Sequence, residues 1–125
     1  MTVTKRILVA EDSSVIQNIT KKVLQLQNFD IDFARNGKEV LNKLENSAYD
    51  VILMDISMPV MDGIECTKRI RGMSDGKKSS IPIIAITGNA KNLSEDEYKG
   101  IGINAYIPKP LNFDQLVKTV KQYAG

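Results

Sequence analysis

The sequence predicts an α/β fold in which helices cover both faces of a five-stranded parallel sheet. Three observations predict it. Three short apolar runs lack the alternation of a half-exposed strand, segments with helical spacing lie between them, and a capping pair opens each helical segment. At 125 residues the chain falls below the roughly 150 typical of one domain, so a single domain over residues 1–125 is expected.

The first run, Ile7-Leu8-Val9-Ala10, is too short for an independent helix and reads as a strand buried on both faces. Ile16, Ile19, Val23 and Leu26 follow at helical spacing, opened by Ser14 with Gln17 three residues later. Ile31-Asp32-Phe33-Ala34 alternates and suits a sheet edge. Val40, Leu41 and Leu44 mark the second helix, behind Asn36 and Glu39. Val51-Ile52-Leu53-Met54 is the second buried run, and Ile64, Thr67 and Ile70 form the third helix behind Asp62 and Glu65. The polar stretch Gly72 to Ser80, turned at Asp75-Gly76, is the longest expected loop. Ile83-Ile84-Ala85-Ile86 is the third buried run. The fourth helix, around Leu93 to Ile101 with Ser94 and Glu97 at its start, is the least amphipathic. Ala105-Tyr106-Ile107 is a very short second edge strand, and Phe113, Leu116, Val117, Val120 and Ala124 make the fifth helix behind Asn112 and Gln115.

Alternating strands and helices with right-handed crossovers give a parallel sheet. The order 2-1-3-4-5 puts the three apolar strands inside and the two weak ones at the edges, a flavodoxin-like (βα)5 three-layer sandwich.

Composition excludes several classes. Seventeen Lys and Arg against fifteen Asp and Glu leave +2, too little and too mixed for a nucleic-acid or membrane surface, so no direct nucleic acid binding is expected. No apolar run approaches the roughly 20 residues of a membrane span. Met1 to Arg6 leads straight into a strand rather than a signal peptide, which makes the cytoplasm the expected compartment. One cysteine, Cys66, and no histidine rule out an internal disulfide, the usual zinc sites and every His-activated nucleophile. Any chemistry must come from carboxylates, hydroxyls and lysines.

In an open parallel sheet, ligands bind beyond the carboxyl ends of the strands. Glu11-Asp12 follows the first strand, Asp55 the third, Thr87 the fourth, and the fifth leads into Lys109. Three close carboxylates raise one another's pKa unless a cation joins them. An all-oxygen set of few protein ligands favours Mg²⁺. A cation beside a lysine and a threonine would receive phosphoryl oxygens. Each residue alone has an ordinary reading: Asp12 starting a helix, Asp62 capping one, Thr87 bonding local backbone, Tyr106 packing. Their shared place at successive strand ends favours function.

These motifs, Glu11-Asp12, Asp55 with Met58-Pro59 and Met61-Asp62-Gly63, Thr87, and Lys109-Pro110, resemble the receiver domain of two-component response regulators over about Lys5 to Tyr123. The resemblance implies that Asp55 accepts a phosphoryl group from a phosphohistidine on a histidine kinase or histidine phosphotransfer protein. It implies Mg²⁺ held by Asp12, Asp55 and the Ser57 backbone carbonyl, with Glu11 acting through water. Lys109, Thr87 and Gly88 would bind the phosphoryl group, Thr87 and Tyr106 would switch, and Ser57 and Asn89 would tune its lifetime. A downstream partner would bind the face of the fourth helix, fifth strand and fifth helix. A cis Lys109-Pro110 bond is expected on the same grounds. Gly88 stands where such domains more often have alanine, which would loosen the loop. Cys66 is expected to pack as a small apolar residue.

A receiver assists its own phosphorylation and is not a turnover enzyme. Among rivals, an aspartyl-nucleophile phosphatase of the haloacid dehalogenase type would carry Asp-x-Asp, but Ser57 stands second after Asp55. A flavin-phosphate module would be repelled by Glu11-Asp12, and an interaction-only degenerate receiver would not need the whole acid, threonine and lysine set. With no output domain before Gly125, the expectation is a stand-alone regulator or a receiver segment of a hybrid sensor kinase.

Overall fold

A computed structural model of the chain describes residues 4–88 and 94–124. In order, its elements are β1 (Arg6–Ala10), α1 (Ser14–Gln25), β2 (Asp30–Ala34), α2 (Gly37–Asn46), β3 (Val51–Asp55), α3 (Gly63–Arg71), α4 (Gly76–Ser79), β4 (Ile83–Thr87), α5 (Glu95–Ile101), β5 (Ala105–Pro108) and α6 (Phe113–Ala124). All strands are parallel, in the order β2-β1-β3-β4-β5. The fold class therefore matches the expectation, with the apolar strands β3 and β4 buried throughout and the two weak strands at the edges.

Successive strand residues face opposite sides, which divides the core in two. Leu8, Ile52, Met54, Ile83 and Ala85 pack against Val40 and Leu44 of α2, Cys66 and Ile70 of α3, and Tyr98 of α5. Ile7, Val9, Leu53, Ile84 and Ile86 pack against Leu24 of α1 and Leu116 and Val120 of α6. Each fully buried aliphatic side chain contributes about 1.5–3 kcal/mol.

Four details depart from the sequence reading. Ser13, not Ser14, caps α1, its Oγ accepting from the Ile16 N–H. Gln17 is then spared for another task, donating through Nε2 to the Glu11 carbonyl. Among the described residues only Ser94 and Glu97 form the full reciprocal capping box. Asn36, Asp62 and Asn112 cap as expected, but Glu39 turns to the Arg35 N–H and Glu65 to Arg69.

The expected stripe of α1 is out of phase. Thr20 and Leu24 face the core, whereas Ile19 is exposed and Leu26, past the helix end, is 82% exposed. Thr20 is buried where an apolar count passes over it. The stretch from Gly72 to Ser80 is not wholly a loop: Asp75 accepts from the Lys77 and Lys78 N–H groups and starts the single turn α4. The fourth and fifth expected helices are accordingly α5 and α6. Leu93 lies outside the described residues.

At the amino ends of β4 and β5, the Arg71 guanidinium fastens several elements together. It donates to the Gly102 carbonyl from Nε and Nη2, to the Ser79 and Ile81 carbonyls from Nη1, and to Asn104 Oδ1. Among the described residues no helix is long and apolar enough to cross a membrane.

Candidate functional site

The parallel register brings the ends of β1, β3, β4 and β5 to one rim. Asp55 pairs with Ile86 across the sheet and Thr87 with Pro108, so the residues following each strand converge. Asp55 is 2% exposed. Its Oδ1 accepts the Ser57 N–H at 2.9 Å and its Oδ2 accepts from Lys109 Nζ at 3.0 Å. Lys109 is aimed by its own backbone, whose N–H donates to the Thr87 carbonyl at 2.8 Å. The Lys109-Pro110 bond is cis, as expected.

Glu11 is buried and Asp12 is exposed. One carboxylate oxygen from each of Glu11, Asp12 and Asp55 lies within 4.8 Å of the others. Glu11 is fixed by the Ser13 N–H, which donates to Oε2 at 3.1 Å, and its own N–H bonds the Ala34 carbonyl of β2. Burial pushes the Glu11 carboxyl up to about 7. The Ser13 hydrogen bond works against that rise, and the Asp55 charge adds to it. A cation among the three acids would offset that rise by favouring the ionised form. The donors are all oxygen, and one of the three acids opens to water, which fits Mg²⁺ with its retained waters.

Thr87 is buried, and its Oγ1 has no hydrogen-bond partner among the described residues. A buried hydroxyl left without a partner costs about 1–3 kcal/mol. Gly88 is exposed, and a Cβ built there would sit 3.5 Å from Lys109 Cδ, an ordinary contact. Its backbone does not demand glycine. Tyr106 stands half out of the surface beside Tyr98. Asn89 lies outside the described residues.

Cys66 is fully buried and donates weakly to the Gly37 carbonyl at 3.5 Å; burial pushes its thiol up to about 12, so it packs as expected. Sequence reasoning missed Tyr98, Gly37 and Val60. Tyr98 had a visible signal in its place four residues after the Ser94 cap. Val60, with φ +68°, had none.

The carboxyl rim of this parallel sheet thus gathers three acids, a threonine and a lysine. The family model for the response regulator receiver domain matches residues 7–121, and the chain belongs to that family. It is 39% identical over 97% of its length to two-component system protein A of Emericella nidulans, covering 18% of that protein. It is 37% identical over 86% of its length to hybrid signal transduction histidine kinase I of Dictyostelium discoideum, covering 6% of it. The chain thus spans a small part, 5% to 18%, of such relatives. It also spans 97% of the polar-differentiation response regulator DivK of Brucella anthropi, at 31% identity over 97% of its own length. Among solved structures, the chemotaxis response regulator CheY4 of Vibrio cholerae superposes with a TM-score of 0.87 at 29% identity, covering 97% of this chain and 99% of that one. The receiver domain of a Pseudomonas aeruginosa sensor histidine kinase, with a magnesium ion coordinated in its active site cleft, does so equally at 0.87 and 29%, covering 98% and 99%.

Proposed function

We propose that Asp55 accepts a phosphoryl group from a phosphohistidine of a histidine kinase or histidine phosphotransfer protein, and that the modified site switches the binding of a downstream partner at the α5, β5 and α6 face. The observation that carries this reading is the buried Asp55 carboxylate, gripped by the Ser57 N–H on one oxygen and by Lys109 on the other. A carboxylate oxygen forms the new bond to phosphorus while the bond from phosphorus to the imidazole nitrogen breaks, the electron pair leaving with the imidazole. A carboxylate nucleophile is already ionised, so no general base is needed.

Asp12, Asp55 and the Ser57 carbonyl would hold Mg²⁺, with Glu11 acting through water. The ion supplies charge neutralisation to the phosphoryl oxygens. Lys109 pairs with one phosphoryl oxygen, the Gly88 backbone borders the group, and the Thr87 hydroxyl, without a partner among the described residues, donates to another oxygen once it arrives. The donor approaches over the shallow apolar groove of Ile16, Ile19, Pro110, Leu111 and Phe113, which Lys109 joins to the acid rim. Ser57 and Asn89 tune how long the phosphoryl group survives. The module changes its own state and turns over no small-molecule substrate.

Mass spectrometry after treatment with acetyl phosphate and Mg²⁺ tests this. One added phosphoryl is expected, lost in Asp55→Ala and in EDTA. Persistent labelling of Asp55→Ala would falsify the assignment. Steady hydrolysis of a phosphomonoester would favour an aspartyl phosphatase instead.

A further inference from the structure

The loop of residues 56–62 carries Ser57 along one side of the acid rim, and its middle is strained. Val60 has φ +68°, and the Met61 N–H donates to the Pro59 carbonyl at 2.7 Å. This closes the form of γ-turn that L residues adopt at a cost, β-branched ones above all. Val60 is 80% exposed, so its side chain brings no packing to hold the turn. A strained turn persists only where its surroundings over-determine it.

Two glycines do so. Downstream, the Gly63 N–H donates to the Ile56 carbonyl at 3.0 Å, and a Cβ on Gly63 would lie 2.6 Å from the Asp55 carbonyl oxygen. From α2, an element with no residue in the rim, the Gly37 N–H donates to the Met61 carbonyl at 3.1 Å. A Cβ on Gly37 would lie 2.8 Å from that carbonyl oxygen, 2.8 Å from Met61 Cγ and 3.0 Å from Cys66 Cβ. No side chain fits without moving the loop. The backbone can reach the turn only because residue 37 is bare.

We propose that Gly37 is a positioning residue for the metal site: it fixes the Met61 carbonyl, through it the Val60 turn, and so the place of the Ser57 carbonyl. This rests on the reading of Ser57 as a Mg²⁺ ligand. If Met61 is pushed outward, Val60 relaxes to negative φ and the chain from Ser57 to Met61 shifts with it. The Ser57 N–H, bonded to Asp55 Oδ1, carries the shift to the phosphoacceptor. The link from α2 to the rim is therefore mechanical and runs through backbone.

The test uses the full chain. In folded Gly37→Ala, Mg²⁺ affinity measured by calorimetry falls about tenfold, as loss of an outer support for a metal site typically does. In metal-free protein its amide shifts at residues 57–62 move. Leu44→Ala, two turns along α2 and in the core, lowers stability with unchanged affinity. Unchanged affinity and unchanged loop shifts in Gly37→Ala overturn the proposal. Should Gly37→Ala not fold, the parent decides: by reciprocity of coupled sites, saturating Mg²⁺ slows hydrogen exchange of the Gly37 amide but not of the Leu44 amide. Equal exchange with and without Mg²⁺ overturns it. A parent that binds no Mg²⁺ refutes the ligand reading of Ser57, and the metal-free loop shifts still decide what Gly37 holds.

Discussion

Tyr106 of β5 lies face to face with Tyr98 of α5, ring centroids 5.2 Å apart and planes 28° apart. Tyr98 is buried and Tyr106 is 36% exposed, so the stack ties the helix to the edge strand by one buried and one solvated ring. An inward turn of Tyr106 would break this pairing and repack the face around it. With beryllofluoride and Mg²⁺, amide shifts are expected to spread from Gly88 through residues 94–107 and into α6. Changes confined to the acid rim would sink the switch reading.

Thr87→Val should separate stability from response. Removing a buried hydroxyl that has no partner among the described residues should stabilise the unmodified protein by about 1 kcal/mol, read as a higher urea midpoint. The same variant should lose most of the beryllofluoride-driven shifts at Tyr106. A destabilised variant would show that Thr87 is paired in solution.

Lys109→Ala keeps Mg²⁺ binding, because the ammonium contacts Asp55 and a phosphoryl oxygen rather than the cation. It should lose most of the change that phosphorylation drives. Equal responses of variant and parent to beryllofluoride would contradict that role.

Glu11 gives the metal-free protein a pH dependence. Its carboxyl titrates near 7 in the folded chain against an ordinary 4.5, so folding favours the protonated form. The contribution is complete below about pH 4.5 and is lost as pH rises through 7, up to about 3 kcal/mol at 1.36 kcal/mol per pKa unit. Urea midpoints in EDTA should fall between pH 5 and pH 8 more steeply for the parent than for Glu11→Gln. Parallel curves would refute it. Mg²⁺ affinity should drop below pH 7 as protons compete for the site.

Val60→Asn should relieve the γ-turn, since asparagine tolerates positive φ and the replaced side chain is exposed. A gain of about 1 kcal/mol is expected, seen as a rise of a few degrees in Tm with unchanged Mg²⁺ affinity. A lower Tm would mean that the turn relaxes in solution.

The buried runs were legible because β1, β3 and β4 have helices on both faces and so show apolar residues without a break. The rim was legible because a parallel sheet sends every strand end the same way, which placed Asp12, Asp55, Thr87 and Lys109 together before any coordinates. What escaped depends on contacts between distant segments. The apolar count for α1 chose Ile19 and Leu26 over Thr20, which is the one that is buried. Ser13 and Ser14 are both competent caps, and only Glu11 and Gln17 decide between them. Gly37 looks like an ordinary helix start until Met61 is placed against it, and the reach of Arg71 to Gly102 has no signal within α3.

The edges of the sheet bear on how such a module can share a crowded cell. β2 presents Asp30 and Asp32, held by Arg6 and Lys43, and β5 is only four residues long and ends at Pro108. Charge on one border and proline on the other discourage a neighbouring chain from adding a strand, a union that is slow to undo. Contacts are thereby left to helical faces, where side chains meet and part quickly, and a relay needs its members to let go of one another as readily as they meet.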